Sequence, residues 1–568
     1  MFKLPELKPI QKQSSTEQVL GRIQAPIQPT FSLNSKIYDR HGQPINLDPE
    51  QVSAVELVTR GKSCVITGNA GTGKTTTSQA IFLSLIENHA SKLTEVSYRI
   101  VRGGGNRWEG PSIACVAASN KAVKNMRKKV LSHPKLKEIL SEGLNITTVH
   151  NLLEYTRTEV YNEERDKVTM AFVPTRTASN PLEITHLIVE EASMLGAGAG
   201  TLWEKLWDAL PYNVQIIFLG DICQIPPVGG KPILSYALQS LPVIELKTIH
   251  RQALENPIIR QAYNCLKGEH IQTDLINEDE EGVLILNGSK TKLSVHKMKA
   301  MLEVSLPKFI DAGKYDPYVD MILCPFNVSN KGQLGTEWIN AVVASHVAKK
   351  EARHVYEIRT GFQTLYLGIG DKVLVNKVEG IVTAIYTNRS YMGRLPRQPS
   401  LTMDYFGIDS THLDLLPDIE DVGEISYEAL DLDSVAEKKG EDDEKGRAAS
   451  HTVIVQLDDD TEVELSSSGH FHPQAFSLGY AISIHKAQGS EWPRVFIILH
   501  DSHQQMLYRE LLYTAMTRAE SRLIILAQDH VIRKAAQNPR IKGTSLKDKI
   551  EFFNSGYLDQ KVPLPEST

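Results

Sequence analysis

The sequence predicts an α/β chain built on two parallel-sheet domains, the first carrying a β-hairpin insertion and the second a mainly β insertion. Two observations carry that expectation. Short apolar runs alternate with helix-compatible stretches in two separate parts of the chain, and a region with strand signals but no such alternation lies inside the second part.

The first set runs from about Gly61 to Leu246. Its expected strands are Ser63-Cys64-Val65-Ile66-Thr67, Ile113-Ala114-Cys115-Val116, His186-Leu187-Ile188-Val189 and Gln215-Ile216-Ile217-Phe218-Leu219. Between Leu153 and Ile184 lie about thirty residues with hairpin character: Thr158-Glu159-Val160-Tyr161, a polar tip Asn162-Glu163-Glu164-Arg165-Asp166, and Val168-Thr169-Met170-Ala171-Phe172-Val173. The second set begins at Met321-Ile322-Leu323-Cys324 and resumes at Val495-Phe496-Ile497-Ile498-Leu499 and Arg522-Leu523-Ile524-Ile525-Leu526. Inside it, Lys372-Val373-Leu374-Val375 and Thr452-Val453-Ile454-Val455 mark the β insertion. The expected domains are an extended arm at 1–40, a first domain at 41–247 with the hairpin at 154–183, a second domain at 248–348 and 471–545, the β insertion at 349–470 with an acidic loop at 417–446, and a tail at 546–568.

A length of 568 residues with 41% hydrophobic composition supports several cores, three or four domains in all. No run of about 18 apolar residues occurs, and Met1-Phe2-Lys3-Leu4-Pro5 lacks a signal-peptide core, so a soluble, unsecreted protein without membrane contact is expected. Cys64, Cys115, Cys223, Cys265 and Cys324 lie far apart and form no CxxC pair, which reads as reduced core residues in a cytosolic compartment. The net charge of −6 is unevenly spread: Asp418 to Glu444 holds twelve acidic residues against Lys438 and Lys439, leaving the rest of the chain at +4. Lys121 to Lys137 holds seven basic residues and no acidic one, either a solvated helix face or a nucleic-acid contact.

Gly68-Asn69-Ala70-Gly71-Thr72-Gly73-Lys74-Thr75 fits GxxxxGK[ST] directly after an apolar strand and before a helix-compatible run from Thr76 to Leu85. Glycines there let backbone N–H groups turn toward phosphate oxygens, Lys74 reaches the β and γ phosphates, and Thr75 ligates Mg2+. Chance would supply roughly 0.02 such matches in a chain of this size. A hydrolytic site also needs one carboxylate for the metal's water shell and another to orient the attacking water, and Glu190-Glu191 at the end of a strand supplies both. Gly220-Asp221-Ile222-Cys223-Gln224-Ile225-Pro226-Pro227 again follows a strand, placing Gln224 to sense the γ phosphate.

In order, these segments resemble superfamily 1 helicases, most closely the 5′-to-3′ group that includes the RecD-like proteins and the phage Dda helicase, over about Leu47 to Leu526. Leu47-Asp48-Pro49-Glu50-Gln51 is similar to the family's adenine-reading segment, which implies that Gln51 contacts the base. Ala117-Ala118-Ser119-Asn120-Lys121-Ala122 and Thr147-Thr148-Val149-His150-Asn151-Leu152-Leu153 resemble two DNA-contacting motifs, implying contacts from Ser119, Asn120, Thr148 and His150. Glu190-Glu191-Ala192-Ser193-Met194 resembles the Asp-Glu-Ala-Ser-Met box. Ile249-His250-Arg251-Gln252 resembles the Tyr-Arg-Gln segment, which implies that Arg251 reaches the γ phosphate across a domain cleft. Ser483-Ile484-His485-Lys486-Ala487-Gln488-Gly489-Ser490-Glu491 resembles the motif joining DNA contact (Ser483, His485) to nucleotide contact (Glu491). Tyr513-Thr514-Ala515-Met516-Thr517-Arg518-Ala519 resembles the last motif, implying a second arginine finger at Arg518.

The resemblance implies two RecA-like motor domains that use ATP and Mg2+ to move 5′ to 3′ on single-stranded DNA and open duplex junctions, in replication, recombination or repair. It also implies a monomer acting in the cytoplasm, at the nucleoid of a bacterial or phage-infected cell. Two positions depart from the family: Glu190 replaces Asp, and His250 replaces an aromatic Tyr. The hairpin occupies the place of the family's strand-separating pin, with an acidic tip and no aromatic wedge. Gly370-Asp371-Lys372-Val373 is similar to the start of a small barrel that holds the translocating strand. The acidic loop is either a solvated linker or a docking tail, and with the N-terminal arm it is the expected contact for a protein partner. Two other readings stand beside the DNA motor: an ATP-dependent clamp or remodeller without net unwinding, and an RNA helicase of the same superfamily.

Overall fold

The computed structural model describes residues 37–555 apart from 39–43, 88–111, 132, 134–135, 138–143, 163–166, 198–200, 213, 228–230, 250–254, 277–280, 287–291, 328–333, 360–363, 377, 389–449, 459–460, 467–475 and 544. Most of the N-terminal arm and the whole acidic loop lie outside the described residues. The chain forms two compact units, Met1–Lys267 with Pro539–Gln560, and Gly268–Asn538 with Lys561–Thr568.

The first unit is built on a six-stranded sheet ordered Val243–Leu246, Cys64–Gly68, Gln215–Gly220, His186–Val189, Ile113–Ala117 and Leu144–Thr148, every neighbour parallel. The four expected strands form its centre. Each is buried along its length, as strands covered by helices on both faces must be. Helix Pro49–Thr59 starts with Asp48 and Gln51 forming a capping box and Pro49 at its first turn. Helix Lys74–Glu87 is buried from Thr77 to Ile86 and packs against Pro49–Thr59. Helix Asn120–Leu131 turns Val123, Met126 and Val130 inward and exposes Lys124, Arg127 and Lys128, so the basic run forms an exposed face there, as either expected role requires.

The hairpin pairs Tyr155–Asn162 with Lys167–Pro174, from Tyr155↔Pro174 to Asn162↔Lys167. Its acidic tip lies outside the described residues. At the root, Glu154 takes a left-handed φ of 52°, and its carbonyl accepts from the Thr175 hydroxyl at 2.7 Å. The Arg176 guanidinium meets the Glu154 carboxylate at 2.9 Å, and the Thr175 amide donates to the Leu153 carbonyl at 3.1 Å.

The expected tail from 546 begins instead as a helix, Leu546–Asn554, within the first unit. Ser545 and Asp548 form a capping box, and Leu546, Ile550 and Phe553 are buried against the region of helix Ile233–Ser240. The division between units falls at Lys267 rather than at 247, because helix Pro257–Lys267 packs with the first unit and Tyr263 hydrogen-bonds its Ala70 carbonyl.

The second unit has its own six-stranded sheet, ordered Asp274–Leu275, Gly282–Leu286, Ala519–Leu526, Trp492–Ile498, Met321–Cys324 and Ala481–Ser483, all neighbours parallel except the first pair. Helices Val295–Asp311 and Thr336–Lys350 pack with it around Leu302, Leu306, Ile339, Val343 and Phe496. The β insertion is an antiparallel sheet ordered Glu462–Ser466, Ser450–Leu457, Val378–Asn388, Lys372–Val375 and Phe476–Leu478, with the hairpin Val355–Arg359/Thr364–Gly368 sharing its core. Among the described residues the hairpin and this five-stranded sheet pack around one apolar core. The sheet also extends past 470, since Phe476 pairs with Val375 and Leu478 with Val373.

A buried polar junction ties the insertion to the parallel sheet of the same unit. The Lys372 ammonium, 2% exposed, meets the Glu379 carboxylate at 3.0 Å, and the Trp492 indole N–H donates to that carboxylate at 3.0 Å. Nearby, the Tyr480 hydroxyl donates to Asp371 at 3.0 Å and Arg494 pairs with Asp320 at 2.8 Å. Removing one charge of a buried pair strands the other in low dielectric. Lys372→Met is therefore expected to cost about 3–5 kcal/mol in denaturant unfolding, and Lys372→Met/Glu379→Leu to recover most of that loss. Unfolding of Lys372→Met at the parent midpoint would show that the junction is not buried as described.

Candidate functional site

The phosphate loop closes strand Cys64–Gly68 and opens helix Lys74–Glu87. Gly71 and Gly73 have φ of 81° and 77°, values that a side chain would strain. A Cβ on Gly68 would fall 2.4 Å from the Thr72 hydroxyl oxygen, so this position also requires glycine. Thr72 donates to the Asn69 carbonyl at 2.9 Å. The Lys74 ammonium bends back over the loop, donating to the carbonyls of Gly68 at 2.7 Å and Asn69 at 3.1 Å. Thr75 and Thr76 follow on the first turn, both partly exposed. Gln51 is fully buried beneath the loop: its amide accepts from the Asp48 N–H at 3.1 Å and donates to the Gly73 carbonyl at 3.4 Å.

Glu190 and Glu191 follow strand His186–Val189, and the Ser78 hydroxyl of the phosphate-loop helix donates to the Glu190 carboxylate. Glu190 is thereby held beside the helix that begins with Lys74 and Thr75. Glu191 adopts φ 50°, ψ 44°, the left-handed region that non-glycine residues rarely occupy. Its Oε2 is buried without a hydrogen-bond partner, and so are Gln224 Oε1, Thr67 Oγ1 and Ser193 Oγ. Thr67, Glu191 and Gln224 sit at or just past the carboxyl ends of three adjacent strands, where open α/β sheets bind ligands. Buried polar atoms are almost always paired, so this orphaned group marks a place for further polar atoms. The donors fit Mg2+, a hard cation that takes oxygen ligands and is typically held by one or two protein oxygens plus phosphates.

At the carboxyl ends of the next strands, Ser119 accepts from the Ala122 N–H at 3.2 Å and Asn120 begins the helix, exposed. Thr148 caps the short helix Val149–Leu152, and exposed His150 packs its ring 5.2 Å from that of Tyr155 at the hairpin root. Four expected DNA-contacting residues thus line neighbouring strand ends. In the second unit, buried Ser483 accepts from the Lys486 N–H at 3.4 Å, His485 is partly exposed and Glu491 is exposed. The Arg518 guanidinium, 4% exposed, donates to the carbonyls of Thr514 at 3.0 Å and Ser490 at 3.2 Å and to the Thr517 hydroxyl at 3.0 Å. These bonds use three of its five N–H donors. Arg251 and His250 lie outside the described residues.

The AAA domain family matches residues 51–230, and the UvrD-like helicase C-terminal domain family matches residues 478–526. The ATP-dependent RecD2 DNA helicase of Deinococcus radiodurans is 26% identical over 520 residues, which cover 89% of this chain and 52% of the relative. Over most of its length the chain is similar to RecD-type helicases. The RecD subunit of the RecBCD enzyme of Mycolicibacterium smegmatis is 22% identical, over 88% of this chain and 74% of its own length. A Bacteroides Pif1 structure bound to single-stranded DNA overlaps 84% of this chain and 92% of its own, at 15% identity and a TM-score of 0.39, too loosely to place any residue. The chain spans about half the length of the Deinococcus relative.

The motif segments of the first unit gather at one end of one sheet, because parallel strands present all their carboxyl ends on the same side. Sequence reasoning passed over Tyr263, whose hydroxyl touches the phosphate loop across 193 residues of chain. No local pattern around Tyr263 signals that contact. Among the described residues no helix is long and apolar enough to cross a membrane.

Proposed function

We propose that this chain is an ATP-dependent DNA helicase that translocates 5′ to 3′ on single-stranded DNA and separates duplex strands, in replication, recombination or repair. The observation that supports this most directly is the orphaned group of buried oxygens, Glu191 Oε2 and Gln224 Oε1 foremost, beside a phosphate loop. In this reading Lys74 and the loop N–H groups hold the phosphates, Glu191 orients the attacking water and Gln224 senses the terminal phosphate. Thr75 and Glu190 would hold Mg2+ and its water shell; the bound ion would offset charge on the β and γ phosphates. Gln51 meets the base, Glu491 contributes to nucleotide contact, and Arg251 and Arg518 supply the cations that meet charge in the transition state. Ser119, Asn120, Thr148, His150, Ser483 and His485 grip the strand. The protein works in the cytoplasm as a monomer, and the N-terminal arm or the acidic loop serves any protein partner.

The test is an unwinding assay on DNA and RNA duplexes carrying 5′ or 3′ tails. Unwinding of only the 5′-tailed DNA duplex is expected; equal action on RNA, or ATP turnover without unwinding on any substrate, would overturn the reading. The two glutamates should differ in kind. Glu191→Gln is expected to bind nucleotide yet lose turnover by at least about a hundredfold. Glu190→Gln should additionally raise the Mg2+ concentration needed, and Glu190→Asp should be tolerated. Parent-like hydrolysis by Glu191→Gln with inactivity confined to Glu190→Gln would reverse the two roles.

A further inference from the structure

Helix Pro257–Lys267 contributes no residue to any of the motifs, yet it carries an aromatic hydroxyl to the phosphate loop. Ile258, Gln261, Ala262 and Cys265 are buried, which fixes the helix's rotation, and partly exposed Tyr263 reaches the loop tip. Its hydroxyl donates to the Ala70 carbonyl at 3.2 Å, and the Asn69 side chain hydrogen-bonds the same oxygen. Asp221, 1% exposed, and Cys223 act on the phenol from the Gly220–Gln224 turn. Burial, with the Asp221 charge, raises the phenol well above its ordinary pKa, so it remains a proton donor throughout the working range. The hydroxyl therefore sits at the tip of the phosphate loop, within electrostatic reach of the turn that carries Gln224.

We propose that Tyr263 is a further nucleotide-binding residue, whose hydroxyl exchanges the Ala70 carbonyl for the terminal phosphate of a nucleoside triphosphate. The inference rests on the ATP site proposed above. A hydrogen bond to a charged phosphate oxygen is roughly twice as strong as one to a neutral carbonyl, so the exchange is favoured when a third phosphate is present. A diphosphate offers no such acceptor. The helix ends at Lys267, where the chain leaves the first unit, so the exchange ties the number of phosphates to the segment that connects the units.

Tyr263→Phe deletes the hydroxyl and keeps the ring. Binding of a non-hydrolysable ATP analogue and of ADP to the full chain, parent and variant, measured with a fluorescent nucleotide competitor, tests the proposal. Triphosphate affinity is expected to fall about tenfold, with the ATP KM rising in step. ADP affinity and Tm should stay at parent values. Equal losses for both nucleotides would make Tyr263 only a brace of the loop and overturn the proposal, as would no loss for either. A parent protein that binds neither nucleotide would overturn the ATP site itself, and the inference with it.

Discussion

Alanine at position 74 is expected to abolish ATP turnover while leaving DNA binding in place. The Lys74 ammonium sits over the mouth of the loop, held by the carbonyls of Gly68 and Asn69, so it can swing to a phosphate without repacking the buried helix behind it. A triphosphate brings a concentrated negative charge into a site already lined by Glu190, Glu191 and Asp221. Without Lys74 the loop itself offers no side-chain cation to that charge. A loss of at least about a hundredfold in kcat/KM follows from the usual cost of removing one preorganised charge partner. Because the strand-end residues proposed to meet DNA are separate from Lys74, affinity for a fluorescent single-stranded oligonucleotide should change little. Near-normal hydrolysis by a folded Lys74→Ala protein would refute the site.

Replacing Thr158 to Val173 by a short Gly/Ser linker is expected to collapse unwinding while DNA-stimulated ATP turnover stays largely intact. Every residue assigned to nucleotide chemistry lies outside this segment. The bonds that fix the root, Arg176 to Glu154 and Thr175 to Leu153 and Glu154, lie outside it as well, so the replacement leaves its own anchor standing. Stepping along one strand needs only alternating grip. Splitting stacked pairs, at ~1.4 kcal/mol per step, needs an obstacle held rigidly at the junction. Both activities are measured on a 5′-tailed duplex, after cooperative unfolding of the variant is verified. Unwinding at the parent rate would assign strand separation elsewhere, with the β insertion the next candidate.

What the sequence made legible was local. The runs Cys64 to Thr67, His186 to Val189 and Gln215 to Leu219 announced buried parallel strands. The phosphate loop was readable because its chemistry is packed into eight consecutive residues. Contacts made across long stretches of chain were not. Strand Val243–Leu246 joins the sheet beside Cys64–Gly68, a pairing no periodicity reveals. The junction of Lys372, Glu379 and Trp492 unites residues over a hundred positions apart, and its charged members read as surface by type. The left-handed turn at Glu191 is likewise invisible, since nothing in an acidic pair signals positive φ. The helix Leu546–Asn554 is different: Ser545 and Asp548 were a readable start, lost among the polar residues of an expected tail.

That late helix sets the order in which the protein can be born. The first unit is complete only once residues near 554 have been made, although most of it is synthesised before residue 268. At about 5–20 residues per second, the surface that receives Leu546, Ile550 and Phe553 stays uncovered for roughly 15–60 s while the whole second unit is translated. A nascent chain stalled within the second unit therefore carries a first unit with an open apolar face, a target for chaperones and proteases. Quality control can thus distinguish a first unit that has received its late helix from one that has not.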